Sequence, residues 1–219
     1  MSVSLPRNTQ RLAILGKTGE GKTVAAVWHL SNFDFDKMPW VIFDFKNDSL
    51  IGKIGATPWR MQDGVPKKPG LYVVRPLPNQ STDVEKFLWE IWANEYTGVY
   101  IDEGYMIDSK SEAFPALLTQ GRSKRIPMIV LSQRPKWISR FVFSEADYFQ
   151  VFWLNDTDDR KRVQQFFPHS TDINKRLPRY HSFYYDVAAD EVATFRPVPR
   201  EEEIISIFRA KLTKRIRLL

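Results

Sequence analysis

Hydrophobic and polar positions along the chain form two kinds of segment that follow one another in turn. Short continuous apolar runs, typical of buried strands, lie at residues 11–15, 40–45, 71–76, 98–103 and 126–135. Apolar residues recur at i, i+3, i+4 and i+7, as in amphipathic helices, at residues 22–33, 83–96 and 112–122. Strands that alternate with helices form a parallel sheet with right-handed crossovers. The pattern therefore predicts an α/β fold with a mostly parallel central sheet flanked by helices.

The remainder of the chain predicts a smaller C-terminal part on the same domain. A Pro/Gly-rich segment fills residues 52–70, and no linker composition separates a second domain. After Tyr148 the pattern predicts a strand at 149–154, a helix at 156–167, a hairpin at 181–187 and 191–197, and a helix from about residue 200. We expect one domain over residues 1–219, with a core at about 10–155 and a C-terminal extension at about 156–219.

The first apolar run is followed by a glycine-rich segment that fits G-x-x-x-x-G-K-[ST] without a mismatch. Such a loop turns consecutive backbone amides toward phosphate oxygens, and the helix after it adds its positive N-terminal end. Lys22 would reach the β- and γ-phosphates of ATP, and the Thr23 hydroxyl would bind Mg²⁺. The candidate nucleotide-binding residues are Gly16, Lys17, Thr18, Gly19, Glu20, Gly21, Lys22 and Thr23.

Two acidic residues end the apolar run at residues 98–103. Asp102 is placed to hold Mg²⁺ through water, and Glu103 to act as the general base that activates water for attack on the γ-phosphate. Gln133 follows the next strand, and its amide can donate and accept hydrogen bonds, which suits a sensor of the γ-phosphate. A strand-end acid or a polar turn alone would be uninformative. Together with the glycine loop, these residues predict ATP hydrolysis.

Composition narrows the function classes only slightly. The 219 residues carry a formal net charge of +6, which favours a polyanionic partner without establishing one. The chain has no cysteine, and its three histidines are too scattered in sequence for a zinc site. No apolar run is long enough for a membrane span, and the first residues do not resemble a signal peptide. We therefore expect no membrane span and no disulfide.

The segments GKTGEGKT, VYIDE, QGRSKRIP and LSQRP, in this order, resemble those of the FtsK/HerA superfamily of P-loop motor ATPases. Within that superfamily, the likeness is to genome-packaging ATPases of membrane-containing icosahedral viruses. It covers about residues 11–135, and FDFK at residues 43–46 also looks like the strand-end Asp-x-Lys of the family.

The resemblance implies properties that composition and spacing do not. It implies a RecA-like core, a ring oligomer expected to be a hexamer, and ATP-driven movement of double-stranded DNA into a capsid. The partners would be DNA and capsid vertex proteins, and the location the packaging vertex of the virion and the host cytoplasm. It also places Arg122 as an arginine that completes a neighbouring subunit's site, with Arg125 and Arg134 as substitutes.

Other P-loop classes remain as alternatives. A GTPase is disfavoured because NKRL at residues 174–177 lacks the Asp of N-K-x-D, and no D-x-x-G follows Asp102. A small-molecule kinase and a non-motor ATP-binding scaffold both stay open. The basic C-terminal side chains could belong to a docked helix or contact DNA phosphates or a capsid partner, and Lys67 and Lys68 in the Pro/Gly-rich segment are alternative DNA contacts. The C-terminal set is Lys211, Lys214, Arg215 and Arg217.

Overall fold

The computed structural model describes residues 4–216, with side chains described for residues 4–213. Within that range the strands are β1 (Arg11–Leu15), β2 (Pro39–Asp44), β3 (Thr57–Pro58), β4 (Gly70–Val74), β5 (Gly98–Asp102), β6 (Met128–Ser132), β7 (Tyr148–Val151), β8 (Ser182–Asp186) and β9 (Glu191–Phe195). The α-helices are α1 (Lys22–Ser31), α2 (Ser81–Asn94), α3 (Ala113–Gln120), α4 (Phe141–Ser144), α5 (Thr157–Gln164) and α6 (Glu201–Ile216).

All strands belong to one sheet, in the order β3-β4-β2-β5-β6-β1-β7-β8-β9. The pairings from β3 to β7 are parallel, whereas β8 is antiparallel to β7 and β9 is antiparallel to β8. The predicted mostly parallel α/β sheet is confirmed. The predicted hairpin is also present, and it extends the same sheet beyond β7.

Alternate residues of the strands face two separate hydrophobic layers, as the period of two in a strand requires. One layer joins Ala13, Val41 and Ile101 to α2, α3 and α5. The other joins Ile14 and Ile42 to α1 and α6. Because helices cover both faces, the central strands are apolar throughout, which explains why they appear in the sequence as continuous runs.

The parallel strands end at one edge of the sheet, and this edge positions the candidate site. Register pairs Leu15 with Ser132 and with Val151, and pairs Asp44 with Asp102. The residues that follow β1, β2, β5 and β6 therefore meet at the carboxyl edge. In open α/β sheets, this edge is where ligands bind.

The structure differs from the sequence prediction in several boundaries and in two short elements. Strand β7 ends at Val151 rather than residue 154, and helix α5 ends at Gln164 rather than residue 167. Strand β6 ends at Ser132, earlier than the predicted residue 135, because Arg134 and Pro135 turn away from the strand. The Pro/Gly-rich segment contains the two-residue strand β3, paired with β4 at the sheet edge, which was not predicted. The single-turn helix α4 was also not predicted. Elements this short carry too few residues to show a period.

In the described part of the chain, none of the helices combines the length and apolar character that a membrane crossing needs.

Candidate active site

The glycine loop connects the carboxyl end of β1 to the first turn of α1. Its backbone is fixed at both neighbours of β1, because Gly16 donates to the carbonyl of Ser132 at 3.2 Å and Lys17 donates to that of Trp153 at 2.8 Å. Gly19 and Gly21 have φ values of 83° and 97°, which favour glycine. The loop thus has the backbone geometry that a phosphate-binding cradle needs.

The side chains of the loop have different surroundings. Thr18 is exposed and hydrogen-bonds Gln133, whereas Glu20 is buried and pairs with Lys17 at 3.5 Å. Thr23 is partly buried in the first turn of α1, where its hydroxyl is placed as a candidate Mg²⁺ ligand.

Lys22 is 6% exposed, and its ammonium donates to the carbonyl of Lys17 at 3.1 Å. Burial lowers the pKa of Lys22 from 10.5 to about 8, and the nearby carboxylate of Glu103 opposes this shift. A phosphate group bound in the loop would stabilise the charged ammonium in the same way. Among the described residues the Lys22 ammonium makes no ion pair with a carboxylate, so its charge is available to a phosphate group in the loop.

Asp102 ends β5 beside the loop, and its carboxylate is 1% exposed. Burial raises the pKa of Asp102 from 3.8 to about 7, with Lys46 acting in the opposite direction. Its Oδ2 atom is buried and has no hydrogen-bond partner among the described residues. A buried carboxylate oxygen without a donor is costly unless a cation or water satisfies it.

These features fit Mg²⁺ bound with a nucleotide. The ion prefers oxygen ligands, and it is usually held by one or two carboxylates together with substrate phosphates and water. Asp102 would supply the carboxylate and Thr23 the hydroxyl. Among residues 4–216, no group of three or more His, Cys, Asp or Glu side chains is arranged as a metal site.

Glu103 immediately follows β5 and is fully buried. Its backbone lies in the left-handed region at φ 72°, an uncommon conformation for a residue with a side chain. The ammonium of Lys46 pairs with Oε1, and the backbone N–H of Gln133 donates to Oε2 at 3.1 Å. Each carboxylate oxygen therefore has a donor, and the side chain is held at the carboxyl edge.

Gln133 connects Glu103 to the phosphate loop. Its Oε1 atom accepts from the Thr18 hydroxyl, and its amide nitrogen donates to the Tyr105 hydroxyl at 2.8 Å. The side chain therefore lies between the loop and the end of β5, where a γ-phosphate sensor is needed. Lys46 and Tyr105 are partners that sequence reasoning did not assign. The only signal for Lys46 was its place in the strand-end FDFK segment.

Arg122 lies far from the phosphate loop of its own chain. It pairs with Asp147, which also accepts the backbone N–H of Arg11 at 2.8 Å, so it lies at the amino edge of the sheet. Strand β1 spans about 13 Å from Arg11 to Leu15, at about 3.3 Å per residue. Arg122 is consequently separated from its own site by about the length of the strand, and its ion pair with Asp147 holds it at the opposite edge of the sheet.

The two substitutes for Arg122 are in different places. Arg125 has φ 54° and donates its N–H to the carbonyl of Arg122, so it also lies near the amino edge. Arg134 is near its own loop and contacts Asp156 at 3.4 Å and Asp159 at 3.6 Å. These two carboxylates bind the guanidinium of Arg134 to its own subunit.

The basic side chains considered as DNA contacts are only partly described. The ammonium of Lys211 donates to the carbonyl of Phe33 at 3.2 Å, which favours a docked α6. Lys67 and Lys68 are exposed near the start of β4. The side chains of Lys214 and Arg215, and all of Arg217, lie outside the described residues.

Comparison with known proteins identifies a relative. The chain is 46% identical over 219 residues to the DNA packaging ATPase P9 of Enterobacteria phage PRD1, and the match covers 95% of this chain and 96% of that protein. No protein-family model matches the chain.

Solved structures show the same fold in proteins of low sequence identity. The genome packaging NTPase B204 of Sulfolobus turreted icosahedral virus 2, in complex with ATP-gammaS, has a TM-score of 0.69 at 18% identity, covering 88% of this chain and 99% of that one. The pCW3 conjugation coupling protein TcpA with ATPgS has a TM-score of 0.64 at 16% identity, covering 94% of this chain and 65% of that one.

Proposed function

The chain belongs to the family of viral DNA-packaging ATPases that includes P9 of phage PRD1, and we propose that it hydrolyses ATP to move double-stranded DNA into a capsid. One observation carries the proposal for the site. The phosphate loop, the pair Asp102 and Glu103, and Gln133 follow three different strands, β1, β5 and β6, and meet at one edge of the sheet. This is the set of groups that ATP hydrolysis requires.

In the proposed reaction, each side chain has one task. Lys22 stabilises charge on the β- and γ-phosphate oxygens, and the loop amides hold the phosphates. Mg²⁺, held by Thr23 and through water by Asp102, would neutralise developing charge on these oxygens. Glu103 accepts a proton from the attacking water, and Gln133 orients that water. Each oxygen of the Glu103 carboxylate has one donor in the structure, from Lys46 and from the backbone N–H of Gln133, and a carboxylate oxygen can accept a further hydrogen bond from water.

The proposal extends to the assembly. A single ATPase domain over residues 1–219 is supported by the hairpin β8–β9, which continues the sheet, and by the packing of α6 against α1. We further propose a ring, with six subunits expected, in which Arg122 acts on the neighbouring site. Its 63% exposed side chain, at the edge opposite its own loop, supports that role. Capsid vertex proteins are the proposed docking partners. The ring would act at the packaging vertex of the virion, and it would assemble in the host cytoplasm.

Steady-state ATP hydrolysis with and without long duplex DNA tests this function. A DNA motor should be stimulated by DNA, and Glu103→Gln should bind ATP yet lose about 100-fold or more in turnover. A rate of ATP hydrolysis that does not change when DNA is added would contradict a role as a DNA motor. Binding of ATP without turnover in the wild type would indicate the scaffold alternative, and phosphoryl transfer to a metabolite the kinase alternative.

A further inference from the structure

A cavity of about 460 Å³ opens beside the phosphate loop, and the roles proposed above for the catalytic side chains do not involve it. It is bounded by Gly21 and Val24 at the start of α1, by Phe152 just after β7, by Tyr180, and by residues 197–202, which lead into α6. Its size is within the roughly 300–1,000 Å³ typical of small-molecule sites. The cavity and the phosphate loop share Gly21.

Two aromatic rings stand at the side of the cavity nearest the loop. A methyl group built on Gly21 would lie 3.3 Å from Cδ1 of Tyr180 and 3.9 Å from Cε1 of Phe152. Tyr180 has φ 64°, a left-handed backbone conformation that is rare for a bulky residue. Such conformations persist where surrounding structure imposes them, and they cluster at ligand sites. Tyr180 is 42% exposed, and the guanidinium of Arg179 lies 4.7 Å from its ring centroid, so at most one face of the ring is open to a ligand.

The remaining walls are largely apolar and uncharged. Gln150 is buried, and both ends of its amide are engaged, by His29 at 2.8 Å and by Ser182 at 2.9 Å. Pro197 and Pro199 have no backbone N–H to offer. Charged side chains enter only with Arg200, Glu201 and Glu202. Such walls suit a flat aromatic ring, whereas a phosphate group would find few donors.

We propose that this cavity receives the nucleobase of ATP, which contacts the rings of Tyr180 and Phe152 while the triphosphate lies in the glycine loop. The inference rests on the proposed function, because it takes the loop to be the phosphate site. It assigns part of the ATP site to residues 180 and 197–202, in the C-terminal extension. That extension would therefore complete the nucleotide site.

The test compares a ligand that has a base with one that lacks it. The affinities of the non-hydrolysable analogue AMPPCP and of inorganic tripolyphosphate are measured by calorimetry for the wild type and Tyr180→Ala. Loss of a stacking partner should weaken AMPPCP roughly 10-fold to 100-fold, while tripolyphosphate binding is unchanged. Tyr180→Phe keeps the ring and should bind AMPPCP as the wild type does.

Tyr96→Ala is the matched control, since Tyr96 is also a tyrosine with positive φ, at 41°, and is 47% exposed. It should leave both affinities unchanged. Lys22→Ala should weaken both ligands, and if it weakens neither, the proposed phosphate site fails rather than the base site. A Tyr180→Ala protein that loses both ligands equally, or neither, would overturn the base assignment.

A fluorescent base tests the wild-type protein directly and does not depend on any variant folding. The triphosphate of 2-aminopurine riboside should bind with its fluorescence quenched by contact with the ring of Tyr180. Binding without quenching would refute contact between the base and this ring.

Discussion

His29 is a titratable side chain that the fold keeps uncharged. It is fully buried in α1, its ring is stacked on Tyr184 at 6.0 Å between centroids, and its Nε2 is hydrogen-bonded to Gln150. Burial lowers the pKa of His29 from 6.5 to about 4, partly opposed by the bond to Gln150. The neutral ring thus fixes the side chain of Gln150, which lines the cavity beside the phosphate loop.

This pKa predicts how the free energy of unfolding depends on pH. The unfolded chain binds a proton at His29 below pH about 6.5, and the folded chain does so only near pH 4. The contribution of neutral His29 to the free energy of unfolding is therefore fully present above pH 6.5 and is lost as the pH falls toward 4. The loss is up to about 3 kcal/mol, at 1.36 kcal/mol per pKa unit.

His29→Gln keeps a hydrogen-bond donor for Gln150 but cannot take up a proton in this pH range. It is therefore compared with the wild type. Urea unfolding at pH 7 and pH 4.5 should show that the wild type loses more stability between the two than the variant does. Equal losses in the two proteins would show that His29 is not the titrating group.

The residues proposed to carry chemistry could be named from the sequence, but their partners could not. The spacing of the glycine motif identifies Lys22, and Asp102 and Glu103 were named because they end an apolar run that follows that motif. Lys46 pairs with Glu103 across 57 positions, and the Gln133 side chain reaches Thr18 across 115. Contacts at such separations are created by the order of strands in the sheet, which local patterns do not contain.

The C-terminal helix α6 is an element whose role depends on packing. Phe208 is fully buried and stacks on Phe35 with ring centroids 5.4 Å apart, and Ile204 is also fully buried. Its neighbour Ile207 is 37% exposed on the same helix. Ile204 and Phe208 therefore face α1 and the hydrophobic layer on that side of the sheet.

Phe208→Ala should lower the free energy of unfolding by about 3–5 kcal/mol, the usual cost of removing a buried phenylalanine ring. Ile207→Ala, in the same helix turn but exposed, should cost much less. Chemical denaturation of both variants measures the difference. Similar small effects would mean that α6 is not docked in solution.

Long periodic elements were predicted better than short ones. Helix α2 has buried residues at Val84, Phe87, Leu88 and Ile91, as its spacing predicted. Strand β3 has only two residues, and it exists because the edge of β4 offers unpaired backbone groups. The hairpin β8–β9 was predicted from its sequence pattern. Its pairing with β7 was not, because that pairing depends on which strand lies at the edge of the assembled sheet.

At the scale of the whole molecule, the proposed ring predicts complementation between two defective subunits. Arg122→Ala subunits should bind ATP but fail to hydrolyse it, because a missing arginine finger costs roughly 1,000-fold or more in turnover. Mixed with Lys22→Ala subunits, they should regain part of the activity, since some interfaces join an intact loop to an intact arginine. Hydrolysis assays on mixtures measure this, and rings shown to be mixed but inactive would exclude action between subunits.

DNA binding should depend on charge more than on base sequence. The net charge of +6 favours phosphate contacts, and each contact contributes about 0.9 to the slope of log affinity against log salt concentration. Affinity for duplexes of different sequence should fall together as salt rises. Binding that is flat between low and physiological salt would count against a DNA motor.

ATP hydrolysis at this site is proposed to drive DNA into particles. The amount of nuclease-protected DNA in particles assembled with the wild-type chain or with Glu103→Gln tests this directly. Both proteins should be incorporated equally, because the substitution keeps the size of the buried side chain and the variant should still bind ATP. We expect filled particles with the wild type and empty ones with Glu103→Gln. Filled particles with Glu103→Gln would show that hydrolysis at this site does not drive packaging.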